Sequence, residues 1–71
     1  MTLFDLLKTL DTEFCIDIKG PKQGRGRPSV FLKDLTDDNL NNDTFPKTWW
    51  NYKVSYITKG MVADLDIYLD K

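Results

Sequence analysis

A chain of 71 residues, 41% hydrophobic and 30% charged, is the size of one small domain and has no material for a second core. It has no histidine and a single cysteine, Cys15, which excludes a Ser/His/Asp or Cys/His relay, a zinc site of four nitrogen and sulfur ligands, and an internal disulfide. The net charge of −1 excludes a uniformly basic nucleic-acid coat, and no apolar run approaches the roughly 18 residues of a membrane-spanning helix. Asp5 interrupts the N-terminal apolar stretch that could imitate a signal peptide. The expectation is one domain spanning residues 1–71, soluble and cytoplasmic, without membrane contact, metal or cofactor. A chain this short buries only about 60% of the surface it exposes when unfolded, so its pattern must be consistent or a partner must help.

Residues Thr2-Leu3-Phe4-Asp5 form a capping box, in which the Thr2 hydroxyl and the Asp5 carboxylate satisfy free amides at a helix start. Leu3, Leu6, Leu7 and Leu10 then recur at i, i+3, i+4 and i+7, an apolar stripe on a helix of two to three turns. Such a helix is unstable alone, so the stripe must be covered by the rest of the chain. Asp11 and Thr12 mark its end. From Glu13 the period becomes two: Phe14, Ile16 and Ile18 point one way, while Glu13, Cys15, Asp17 and Lys19 point the other. Gly20, Pro21, Gly24, Gly26 and Pro28 break this strand, and Val30 and Leu32 resume the alternation with Lys33 opposite. The result is a hairpin with a long loop.

Residues 36–44 are dominated by side chains that compete for local backbone hydrogen bonds, predicting turns or at most one helical turn around Leu40. Pro46 keeps a helix from running on into the tryptophans. A second hairpin follows. Tyr52, Val54 and Tyr56 alternate with Lys53, Ser55 and Ile57; Lys59 and Gly60 supply a tight turn. Met61, Ala63, Leu65, Ile67 and Leu69 then alternate with Val62, Asp64, Asp66, Tyr68 and Asp70. The joint solution is α+β: a short N-terminal helix packed on a four-stranded, mainly antiparallel sheet made of two hairpins.

The charges are segregated along the chain. Lys19, Lys22, Arg25, Arg27 and Lys33 occur with no acid among them, and Asp34, Asp37, Asp38 and Asp43 follow with no base. The tetrapeptide Arg25-Gly26-Arg27-Pro28 resembles the core of the AT-hook, a peptide that binds the minor groove of DNA. The resemblance implies that Arg25 and Arg27 reach along the floor of an A/T-rich groove, Gly26 permits close approach and Pro28 directs the chain out. Such grooves are narrow, strongly negative and lined with acceptors. Lys19, Lys22 and Lys33 would then meet phosphates, and three to five such contacts imply a salt slope of about −0.9 per contact. The competing reading is a solvated loop tip, where glycine, proline and long charged residues collect because nothing there must pack.

Trp49 and Trp50 are candidate anchors for a partner, since tryptophan is enriched at interface hot spots; alternatively, with Phe45 and Tyr52 beside them, they close over the core. Asp64 and Asp66 lie two apart, a spacing that a Mg²⁺-dependent nuclease could use and that a solvated strand face produces equally well. Cys15 reads as a small filler residue, with no cation placed to activate a thiolate.

The whole chain also resembles small accessory proteins encoded by phages and mobile elements, through its leucine-rich start Met1-Thr-Leu-Phe-Asp-Leu-Leu, the strand Phe14-Cys-Ile-Asp-Ile, and the closing pair Lys53-Val-Ser-Tyr-Ile and Leu65-Asp-Ile-Tyr-Leu. That resemblance implies a short, non-catalytic protein that works by binding; some such proteins inhibit host defence enzymes such as CRISPR nucleases. Two functions are therefore expected as alternatives. In one the basic loop contacts nucleic acid; in the other the domain docks on a host or phage protein through a tryptophan, an acidic face or a free sheet edge, which could also pair two copies.

Overall fold

The computed structural model describes residues 1–41 and 45–71. Helix α1, Leu3–Thr9, starts at the capping box: the Asp5 amide donates to Thr2 Oγ1 at 3.2 Å and the Thr2 amide to Asp5 Oδ2 at 3.4 Å. It stops after two turns because the Thr9 hydroxyl donates to the Leu6 carbonyl at 2.7 Å and Leu10 is already extended. Leu3, Leu6 and Leu7 are buried, and each contributes on the order of 1.5–3 kcal/mol by leaving water.

Strand β1, Ile16–Lys19, begins three residues later than the alternation suggests. Asp11 is the reason: its carboxylate accepts the Glu13 amide at 3.3 Å and its carbonyl the Phe14 amide at 3.1 Å, so these donors close a turn before the strand can start. Strand β2, Ser29–Leu32, pairs antiparallel with β1, as the first hairpin requires. Helix α2, Asp37–Leu40, is a single turn, opened by Asp34, whose carboxylate accepts from the Thr36 amide, the Thr36 hydroxyl and the Asn39 side chain. The rest of the expected turn region, residues 42–44, lies outside the described residues. A 3-10 helix, Lys47–Asn51, leads into β3, Lys53–Lys59, and β4, Leu65–Asp70.

The sheet order is β2-β1-β4-β3. Both hairpins are antiparallel, but they join through a parallel pair, β1 with β4, that sets Ile16 beside Leu65 and Ile18 beside Ile67. The sheet is thus mixed, with the parallel pair at its centre, where burial is deepest. The inner face meets α1, Leu35, Phe45 and Trp49 in one core. Buried and half-exposed residues alternate along β1, so the opposite face is left without a covering layer.

Two expectations for the second hairpin are corrected. Ser55 is the extra residue of a bulge between Val54 and Tyr56, so Val54 and Ile57 share the inner face while Tyr56 crosses to the outer one. The connection is also no two-residue turn. β4 starts at Leu65, and Met61 and Val62 stay out of the ladder because Asp64 closes the loop: its carboxylate accepts the Cys15 amide at 3.0 Å and its own amide donates to the Cys15 carbonyl at 2.8 Å. Gly60 is required here, since a Cβ would run into the Ala63 carbonyl oxygen.

The turn carboxylates make stability pH-dependent. Hydrogen bonds from Thr2 hold the Asp5 carboxyl below its ordinary 3.8, and those from Thr36, with Asn39, do the same for Asp34. A carboxyl with a lowered folded-state pKa contributes stability that is complete above its unfolded value and is lost as pH falls through the folded one. Thermal melts should therefore be flat from neutrality to about pH 5 and fall below about pH 4, and Asp5→Asn should flatten that fall. Melts of Asp5→Asn that decline in acid as steeply as wild type would refute the assignment.

Candidate functional site

The basic loop is closed by its own backbone hydrogen bonds. The Gly20 amide donates to the Pro28 carbonyl at 2.7 Å, and Gln23 and Gly26 exchange backbone bonds of 2.8 and 3.2 Å across a tight turn at Gly24-Arg25. Gly24, at φ +59, supplies the left-handed conformation this turn needs. Pro21 is buried at the base, and Gly20 lies so close to the Trp49 ring that a Cβ would sit 2.5 Å from Cζ2.

The candidate cations have unequal freedom. Arg27 folds back onto the sheet: Nη1 donates to the Gly20 carbonyl at 3.2 Å and the Leu69 carbonyl at 3.0 Å, Nη2 lies 4.0 Å from Asp70, and the guanidinium carbon is 5.5 Å from the centre of the Tyr68 ring. It acts as a staple between loop and β4. Lys19 is tied to Asp17 at 3.0 Å on the outer sheet face, and that hydrogen bond raises its pKa. Lys33 follows Leu32, which pairs with Ile16, so it lies at the opposite end of the sheet from the loop. Lys22 and Arg25 remain exposed at the tip beside Gly26, and Pro28 is exposed at the loop's return. Of the five cations, the structure brings only Lys22 and Arg25 to one accessible place.

The tryptophans stand on the 3-10 helix, which turns their side chains to neighbouring sides. Trp49 enters the core, and Trp50 is half-buried. Phe45 packs on both, with centroids 6.1 and 5.1 Å away, and Phe4 meets Trp50 edge-on at 5.6 Å. Both indoles therefore take part in the aromatic closure of the core.

The outer sheet face is formed by two cross-strand rows, Ser29-Lys19-Tyr68-Tyr56 and Phe31-Asp17-Asp66-Thr58. Tyr56 and Tyr68 stack with centroids 4.3 Å apart. At the end of the sheet where β1 and β4 begin, Asp11, Glu13, Phe14 and Asp64 line an open cleft of about 310 Å³. Among the described residues no group of three or more His, Cys, Asp or Glu side chains is placed to hold a metal ion. Asp64 caps β1, while Asp66 lies opposite Asp17. The N-terminus covers the start of the β3 edge, its Met1 carbonyl accepting the Val54 amide at 2.9 Å and the Leu3 amide donating to Tyr52 at 3.0 Å. No helix is long and apolar enough to cross a membrane among the described residues.

Comparison with known protein families, curated proteins and solved structures gives no match for this chain.

The feature missed in the sequence is the fully exposed pair Met61-Val62. Alternation alone assigned them to a strand; the signal against it was Gly60 followed four residues later by Asp64, the means of closing a longer loop.

Proposed function

We propose that this chain is a non-catalytic binding protein that recognises another protein through apolar side chains on its sheet and end loop. One observation carries the reading: Phe31 and Tyr56, on the uncovered outer face, and Met61, in the end loop, are 53, 49 and 100% exposed. Isolated exposed apolar residues are ordinary, but a one-sided sheet bearing several, in a chain that has so little core, favours a partner that covers them. Occupying the surface of a host enzyme and so blocking it is a role that suits such a protein, in keeping with the resemblance to phage accessory proteins.

The exposed Lys22 and Arg25 favour a second reading, nucleic-acid contact at the loop tip. Two phosphate contacts imply a salt slope of only about −1.8, so affinity would fall about tenfold between 50 and 200 mM salt. The discriminating experiment uses the chain as bait in its native cells, with and without nuclease, beside a gel shift on A/T-rich duplex. The expected result is a stoichiometric protein partner that survives nuclease. Retention lost on nuclease treatment, with a low-salt shift abolished by Lys22→Ala/Arg25→Ala, would instead establish the second reading.

A further inference from the structure

Two of the exposed apolar side chains, Phe4 and Tyr56, pack against a ring or a charge. Phe4 has Trp50 at its edge and the Lys8 ammonium 4.7 Å above its ring, and Tyr56 stacks on Tyr68. Met61 and Val62 differ: they are consecutive, 100 and 90% exposed, and sit at a loop tip, where polar residues ordinarily collect. The tip is also held in place. Ala63 is buried behind it, Asp64 is bonded twice to Cys15, and Gly60 admits a close approach by Ala63 that any other residue would block. With the flanking backbone already held, docking orders chiefly the two side chains and not the loop, which lowers the cost of binding through a small contact.

The charge around the tip indicates what it docks into. Asp64, the last residue of the loop, lines the cleft with Asp11, Glu13 and Phe14. Asp34 lies at the same end, since the Leu35 amide donates to the Thr12 carbonyl. Asp66 adds a carboxylate beside Gly60, and Lys33 and Lys59, next to Leu32 and paired with Leu65 respectively, are cations of the same end, so among these described residues carboxylates outnumber ammonium groups. A two-fold pairing of this end with itself would set like charge against like charge.

Resting on the protein-binding reading above, we propose that Met61 and Val62 are an anchor that inserts into an apolar recess rimmed by Lys and Arg on a different protein. The carboxylates of Asp11, Glu13 and Asp64 form a collar that meets this rim. The collar governs association rate and salt dependence, and the apolar pair governs residence time.

The test is a titration of the ¹⁵N-labelled full chain with a synthetic amphipathic helix of leucine and lysine, its leucine-glutamate counterpart, and phosphatidylcholine vesicles with and without phosphatidylglycerol. The lysine peptide should shift resonances of residues 11–15 and 60–64, with affinity falling at least about tenfold from 50 to 500 mM salt. Met61→Ser/Val62→Ser should lose at least about tenfold at unchanged melting temperature, because both side chains are already in water. No binding at millimolar peptide, equal binding of the glutamate peptide, a double variant that binds like wild type, or preference for vesicles would each overturn the proposal. So would sedimentation showing a dimer that the double variant abolishes. Shifts confined to the Phe31 and Tyr56 face would remove the anchor while leaving protein binding in place, whereas nuclease-sensitive retention removes protein binding itself.

Discussion

Trp49→Ala is expected to cost about 3–5 kcal/mol, the range for deleting a buried tryptophan. A chain of 71 residues has a total stability of only about 4–10 kcal/mol, so this variant should lose tens of degrees in melting temperature. Trp49 is 6% exposed, edge-on to Phe45, and its ring occupies the space that a side chain at position 20 would need. That last contact gives a sharper check. Gly20→Ala alone should cost about 1–3 kcal/mol through overpacking, but little when Trp49 is already alanine, because the indole it collides with is gone. Denaturant unfolding of the four proteins measures the coupling. Additive effects would mean that the ring does not close the base of the basic loop, and a Trp49→Ala protein within about 1 kcal/mol of wild type would remove it from the core.

Arg27→Ala should destabilise the fold by about 2 kcal/mol, on the order of 10 °C, while Arg25→Ala should stay within about 0.5 kcal/mol of wild type. The two arginines are near neighbours in one tetrapeptide, so composition predicts the same small surface effect for both. The difference comes from the partners. Arg27 Nη1 satisfies the Gly20 and Leu69 carbonyls at once, joining the loop to the last strand, and its removal leaves both acceptors short of a donor. Arg27→Lys should recover only part of the loss, because an ammonium on a flexible stem does not reproduce a planar donor held over Tyr68. Equal melting temperatures for Arg27→Ala and Arg25→Ala would show a free guanidinium at position 27, and a minor-groove reading through both arginines would regain its basis. The weak, distant Asp70 contact contributes little to this expectation, since Asp70 is largely solvated.

Local structure was legible wherever a local rule governs it. Thr2 and Asp5 announce the start of α1 because capping involves residues three apart, and the stripe of Leu3, Leu6 and Leu7 predicts its buried face. Ile16 and Ile18 against Asp17 and Lys19 predict the orientation of β1 for the same reason of period. The binding surfaces were less legible. Arg25 and Arg27 carry one charge each and cannot be ranked without knowing which carbonyls lie nearby, and the Leu69 carbonyl is 42 residues away along the chain.

The amino-acid sequence by itself determined that this is an α+β chain of one short helix and two hairpins, because capping, apolar periodicity and glycine-proline breaks are short-range properties. Tertiary structure alone decided how the hairpins join: either strand of one could have met either strand of the other, and the fold pairs β1 with β4 in parallel, setting the buried Ile18 beside the buried Ile67 and Ile16 beside the partly buried Leu65. It alone decided that a single extra residue at Ser55 turns Tyr56 outward, that Arg27 is engaged internally, and that Asp64, by capping Cys15 from 49 positions away, leaves Met61 and Val62 in water. These outcomes depend on contacts between residues far apart in the chain, whose energies no local pattern records.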